Sequence, residues 1–321
     1  MTTADIIKHI DRYIKKLIAD KKSIHTINNY KSSLKDFKNY IEDMEEETEY
    51  STQQFRELVF DYLYSLDNSY KINSINMKRT AMRGFISYLA AEKYIDEDFS
   101  KDINKLKRDT GKKSEVLTSQ EIKKVLNLLV EDLNNAEGYN IYYKARNILL
   151  FTFLLYTGVR RSECVKVKWA DIDMINNEIA IHGKNNKTRY IPLKRELKYQ
   201  LMDYKGVLEE LENAGYEVKS EYIFRTDQRS KDTKKKDKPM TPKNVYNIIK
   251  DIMKRAGVNK NITPHNIRHN FASYFIQSGG KITTLSGVLG HSNPNVTTRI
   301  YMHEIEKKQR EEDMNKLDFG I

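Results

Sequence analysis

Thr263-Pro-His-Asn-Ile-Arg-His269 opens a helix and loads its first turns with cationic and titratable side chains. Threonine is a good N-cap, and proline at the next position supplies a preset φ where no amide donor is needed. The helix it starts has a stop signal at Gly279-Gly280. His265 and Arg268 are three residues apart, so they share a face near the helix N-terminus, where the helix dipole favours an anion. Downstream lie Leu289-Gly-His291 and, ten residues after that histidine, Tyr301. A phenol is a weak nucleophile at neutral pH because its pKa is about 10. A phosphodiester is a weak electrophile because its oxygens already carry negative charge. Arginines and histidines around the two address both problems, since cationic donors stabilise charge developing on phosphate. Upstream, Thr157-Gly-Val-Arg-Arg-Ser-Glu163 adds Arg160 just past a glycine that can end a helix in the left-handed conformation.

The chain around these clusters has 321 residues, enough for two domains of ordinary size. Lys and Arg total 56 against 45 acidic residues, a net charge of +11. That balance favours a polyanionic partner, because phosphate neutralisation supplies most non-specific nucleic-acid affinity. A single cysteine, Cys164, excludes an internal disulfide and fits a reducing cytosol. The longest apolar run, Ile148 to Tyr156, is too short to span a bilayer and reads as a buried helix. Met1-Thr-Thr-Ala-Asp carries no apolar signal segment, so a cytoplasmic protein with no membrane partner is expected.

Residues 1–106 read as four short helices. Ile6, Ile10, Tyr13 and Leu17 recur at helical spacing. Ile27, Tyr30, Leu34, Phe37 and Ile41 form the second stripe, after Ser23. A third helix begins near Gln53 with Phe55, Leu58, Val59 and Tyr62. A fourth begins near Ser74 and carries Met77, Ala81, Phe85 and Leu89. Residues 107–116 lack an apolar stripe and read as a basic linker. Thr118-Ser-Gln-Glu121 is a capping box that announces a second domain, residues 117–321. This domain is expected to be mostly helical with a small three-stranded antiparallel sheet. Its strands are Asp171–Met174, Glu178–His182 and Arg189–Leu193, with turns at Asn176-Asn177 and Gly183 to Lys187. The lysine-rich stretch from Gln228 to Pro239 reads as a solvated loop. Thr241-Pro242 starts a further helix that ends at Gly257.

Taken in order, these motifs resemble the tyrosine recombinase family. Gly158-Val-Arg160-Arg-Ser-Glu163 is similar to the family's first-arginine motif, and Gly183-Lys184-Asn-Asn-Lys187 to the hairpin that carries the catalytic lysine in Xer recombinases. His265-Asn-Ile-Arg268 is similar to the His-x-x-Arg motif, Leu289-Gly-His291 to the second histidine position, and Tyr301 to the nucleophile. Ser23-x-x-Thr26-x-x-x-Tyr30-x-x-x-Leu34-x-x-Phe37 looks like the second helix of the SAM-like core-DNA-binding domain. Each motif alone is weak, but five in order over the second domain are specific. The resemblance covers nearly the whole chain. It departs from many Xer proteins in the interval between His291 and Tyr301, which is ten residues rather than nine, as in many phage-type integrases.

The resemblance implies a mechanism and a set of roles. Tyr301 would attack the scissile phosphate and hold the DNA as a 3′-phosphotyrosine, releasing a 5′-hydroxyl. Arg160 and Arg268 would grip non-bridging oxygens, and Lys184 would protonate the leaving oxygen. His265 would assist proton transfer at the tyrosine, His291 would hydrogen-bond the phosphate, and Glu163 would orient the site. His269, next to Arg268, is expected to pack rather than act. Arg161, Lys187, Arg79 and Arg83 are expected to contact DNA, the last two from helices lying in the major groove. No metal, cofactor or ATP is implied, because the bond energy stays in the phosphotyrosine. The expected partners are duplex DNA with an inverted-repeat core site and three further copies of the chain. The tetramer would exchange strands through a Holliday junction, with the apolar tail residues Leu317, Phe319 and Ile321 docking into a neighbour. Because the first helices begin almost at Met1, a simple recombinase without an arm-binding domain is expected. Its errand, chromosome or plasmid resolution or mobile-element movement, stays open. So do a type IB topoisomerase and an inactive DNA-binding regulator.

Overall fold

Thr2, Ser23 and Ser51 each accept a hydrogen bond from a backbone amide three residues on, and each starts a helix. Those helices are α1 (Thr3–Ala19), α2 (Ile24–Glu42) and α3 (Thr52–Ser65), and α4 (Ile72–Ala91) completes the bundle. In the computed structural model the chain divides into two units, Met1–Lys112 and Lys113–Ile321. The described residues are 1–43, 48–67, 69–107, 115–183, 187–226 and 237–291. Beyond those, 293, 295, 297, 298, 300–302, 305, 306 and 310 are also described.

Period 3.6 explains the first unit. The apolar positions of the four helices converge on one core in which Phe37, Phe55, Phe85, Leu34 and Ile6 are almost fully buried. Each such side chain stabilises the bundle by roughly 1.5–3 kcal/mol. Lys78 pairs with Asp36 across the bundle, joining α4 to α2. Arg79, expected to face DNA, is instead only 9% exposed. Its Nη1 donates to the Asn104 carbonyl at 2.9 Å, tying α4 to the chain beyond it. Arg83, one turn further along, is partly exposed.

The second unit is built around α6 (Asn140–Thr157), whose stretch from Ile148 to Leu154 is wholly buried. Around it pack α5 (Ser119–Asn134), α8 (Arg195–Asn213) and α10 (Pro264–Gln277). The short α7 (Arg161–Cys164), α9 (Pro242–Arg255) and α11 (Ile282–Leu289) are the other α-helices of this unit with bounds among the described residues. The sheet has the order β1 (Ile172–Asp173), β2 (Glu178–His182), β3 (Thr188–Pro192), and both pairings are antiparallel. Ile179 faces Ile191 across the central pairing, so one face of the sheet joins the core. The hairpin between β2 and β3 is closed by the Gly183 amide donating to the Lys187 carbonyl at 2.8 Å. At its base His182 lies 3.0 Å from Asp171 Oδ1 and 3.0 Å from Thr188 Oγ1. No helix among the described residues is long and apolar enough to cross a membrane.

Candidate active site

Two helix ends and one helix start create the site. Gly158 ends α6 with φ +59°, a conformation costly for any residue with a Cβ, and a Cβ there would lie 2.4 Å from the Phe271 ring. Gly290 ends α11 the same way, with φ +66°. Both stops leave backbone carbonyls without helical partners. Arg268, on α10, meets them: Nη1 donates to the Gly158 carbonyl at 2.9 Å, and Nη2 to the Leu289 carbonyl at 2.8 Å. Arg268 is 4% exposed; burial and the neighbouring Arg160 charge lower its pKa to about 10, so it stays cationic at neutral pH.

Arg160 follows the Gly158 turn and caps α7. Its Nη1 donates to Glu163 Oε1 at 3.0 Å and lies 3.4 Å from the Leu289 carbonyl, while almost half of its side chain stays open to solvent. Glu163 is buried. It also accepts from the Arg160 amide and, at 2.7 Å, from Nη2 of Arg189 on β3. Burial raises its carboxyl pKa, but the Arg189 hydrogen bond, the Arg160 amide and the two guanidinium charges outweigh it, so the pKa lies below the ordinary value. Arg189 also donates from Nε to the Val288 carbonyl at 2.7 Å. One carboxylate therefore holds both arginines, and those arginines reach the carbonyls of Val288 and Leu289 at the end of α11.

His291 has its tautomer set by these partners. Arg268 Nη2 can only donate, so His291 Nε2, 3.0 Å away, accepts. The proton of the neutral ring is then on Nδ1 and points to Thr297 Oγ1 at 2.6 Å. Burial and the charges of Arg268 and Arg160 lower its pKa to about 4, in keeping with a neutral ring. In this arrangement neither ring nitrogen is free to donate to a phosphate, the role the sequence suggested.

Tyr301 is 3% exposed, packed against Ala272, Ile276, Leu285 and Leu289. Its Oη lies 2.9 Å from Nδ1 of His269, and Nε2 of His269 lies 3.3 Å from Nε2 of His265. The ring on the phenol is His269, which the sequence led one to expect to pack, with His265 behind it, on the solvent side. The two histidines are four positions apart, so they meet edge to face on one side of α10. Partial desolvation comes first in lowering the pKa of both. The His265 ring and the Arg268 charge bring His269 to about 4, and the charges of Arg268, Arg160 and Arg161 add to the fall at His265.

Arg160, Glu163, Arg268, His265, His291 and Tyr301 thus gather at one locus, and Arg189 and His269 join them. Arg189 lacked any sequence signal, whereas His269 carried one in its spacing from His265. Arg161 is exposed, with its guanidinium 5.9 Å from the Tyr246 ring centre, and Lys187 is exposed after the hairpin. Lys184 lies outside the described residues, as do most of the lysine-rich loop, residues 108–114 of the basic linker and the tail residues Leu317, Phe319 and Ile321.

Residues 115–308 match the phage integrase family, and residues 10–93 match the phage integrase N-terminal SAM-like domain. The chain belongs to the phage integrase family and is a tyrosine recombinase of Xer-like type. It is 29% identical over 286 residues to tyrosine recombinase XerC of Pediococcus pentosaceus, covering 89% of each chain. Its fold is similar to that of XerH site-specific recombinase bound to a palindromic difH substrate in a post-cleavage complex. There the TM-score is 0.68 at 23% identity, over 96% of this chain and 83% of that one. It is also similar to a lambda integrase tetramer bound to a Holliday junction, with a TM-score of 0.65 at 17% identity, over 92% and 78% of the two chains. Family membership favours the recombinase among the readings that the sequence left open.

Proposed function

We propose that Tyr301 is the nucleophile that cleaves one DNA strand, forming a 3′-phosphotyrosine and releasing a 5′-hydroxyl. The observation that carries this reading is the convergence of a buried phenol, two arginines and three histidines at the ends of α6 and α11 and the start of α10. Arg160, partly exposed and held by Glu163, takes one non-bridging oxygen, and Arg268 takes another. Bidentate cationic donors fit the charge that grows on phosphorus in the transition state. Lys184 gives a proton to the leaving oxygen, and Glu163 orients Arg160 and Arg189, the two arginines that it binds. Arg161 and Lys187 contact the phosphate backbone beside the site. In the first unit that role falls to Arg83, because Arg79 serves the fold.

The substrate in this reading is duplex DNA carrying an inverted-repeat core site. Both units bind it, and four copies exchange strands through a Holliday junction. The charge of +11 supports the nucleic-acid part. The similarity to the DNA-bound XerH and to the lambda integrase tetramer on a Holliday junction supports the assembly. The test is a nicked suicide duplex bearing the inverted repeat nearest to the gene, incubated with wild type and Tyr301→Phe. A covalent adduct on a denaturing gel with wild type alone is expected. Equal adduct from both proteins would remove Tyr301 from the mechanism.

A further inference from the structure

We infer that His269 takes the proton from Tyr301 during cleavage and passes it through His265 to solvent, so that the two rings form a proton relay. This rests on the reading of Tyr301 as the nucleophile and adds a residue outside the set the motifs point to.

The geometry supports each step. Tyr301 Oη and His269 Nδ1 are 2.9 Å apart, a hydrogen bond to the oxygen that would attack phosphorus. His269 Nε2 and His265 Nε2 are 3.3 Å apart, with the rings close to perpendicular and their centres 4.7 Å apart. A neutral imidazole has one donor and one acceptor nitrogen, so a single orientation runs through both rings. The phenol donates to His269 Nδ1, His269 Nε2–H donates to His265 Nε2, and the remaining His265 proton sits on Nδ1. Tyr301 is buried, whereas His265 is exposed, so the line runs from a dry oxygen to water. The helix N-terminus and Arg268 disfavour an imidazolium at His265, which argues for passage rather than storage of the charge.

The balance of the step is complete. The Tyr301 Oη–P bond forms while the P–O5′ bond breaks. The phenolic proton goes to His269 Nδ1, the His269 Nε2 proton to His265 Nε2, and the His265 Nδ1 proton to water. Both rings stay neutral and exchange tautomers. The leaving 5′-oxygen receives its proton separately, from the general acid. On rejoining, the phenolate regains its proton by the reverse route.

The experiment is single-turnover cleavage of the same suicide duplex by wild type, His269→Ala and His269→Asn, with DNA binding measured alongside. Asparagine places a polar atom near the Nδ1 position, so it can hold the phenol but cannot hand a proton on. Both variants should bind DNA within twofold of wild type and cleave it at least about 10²-fold more slowly, the low end for a lost general base. A second substrate with sulfur in place of the bridging 5′-oxygen needs no proton on its leaving group. It should restore Lys184→Ala but leave both His269 variants slow. Cleavage by His269→Ala within threefold of wild type would overturn the relay, and so would full rescue by His269→Asn or by the sulfur substrate. Absence of any adduct from wild type on bound DNA would instead remove the nucleophile reading, and the relay with it.

Discussion

Replacing Arg189 by methionine tests whether one buried carboxylate organises the site. Methionine keeps much of the stem's volume and removes every donor. The change deletes the 2.7 Å and 3.3 Å bonds to Glu163 and the 2.7 Å bond to the Val288 carbonyl. Removing one partner of a buried ion pair costs about 3–5 kcal/mol. Glu163 keeps the Arg160 amide and guanidinium, so the low end, about 3 kcal/mol, is the better figure. Trp169 is the only tryptophan and stacks on Tyr204 inside the second unit, so its fluorescence in urea reports that unit. With a slope of about 2–3 kcal/mol/M, the midpoint should fall by about 1–1.5 M. Glu163→Gln should produce a comparable fall, because the neutral amide leaves the largely buried Arg189 guanidinium, and Arg160 beside it, without their counter-charge. The double variant should lose clearly less than the sum of the two, with a coupling of at least about 1 kcal/mol. Additive effects, or a midpoint shift under 0.3 M for Arg189→Met, on the order of 0.6–0.9 kcal/mol at that slope, would refute the idea that Glu163 and Arg189 act as a unit.

Gly158→Ala should destabilise the same unit by about 2–4 kcal/mol, from the left-handed backbone plus a Cβ at the Phe271 ring. A urea midpoint within 0.2 M of wild type would contradict that. Acidification should also weaken the unit. His269 and His291 are held neutral, with pKa values of about 4 against about 6.5 when unfolded, so the unfolded chain binds more protons between those values. Stability should therefore fall as pH drops from about 6.5 to 4, by at most about 3 kcal/mol per ring and less in practice because both are partly exposed. Midpoints measured by tryptophan fluorescence across that range should flatten in a His269→Asn, His291→Asn double variant; an unchanged slope would contradict the assignment.

Local signals in the sequence served where the physics is local. The capping residues Ser23, Thr118, Thr241 and Thr263 each start a helix where expected, since a cap depends on three or four neighbouring residues. α8 gave no such warning, because Lys194 precedes it and makes no side-chain cap. Within the site, His265 and Arg268 were legible from spacing on one helix. Arg189 was not, since its partner Glu163 lies 26 positions earlier and meets it only through the path of β3. The contact between His269 and the phenol was not legible for a subtler reason: a ring next to Arg268 in sequence points away from it, yet toward the segment bearing Tyr301. Arg79 shows the same limit in the first unit. A basic residue on an amphipathic helix looks like a surface contact until the fold supplies a carbonyl for it to bind.

The arrangement at Arg268 bears on how DNA would engage the site. Of its five N–H donors, three are committed to the Gly158 carbonyl, the Leu289 carbonyl and His291 Nε2. An arriving phosphate would compete for the donor on His291, because a charged acceptor outbids a neutral ring nitrogen. The same phosphate would favour protonation of His291, whose low pKa comes from burial and neighbouring guanidinium charge. The first would free Nε2, and the protonation would then turn it from acceptor to donor. In the proposed reaction, the tautomer that blocks His291 would therefore be undone by the substrate's own charge. The carbonyl bonds, by contrast, tie Arg268 to two helix ends, so the guanidinium can meet phosphate without losing its place in the fold.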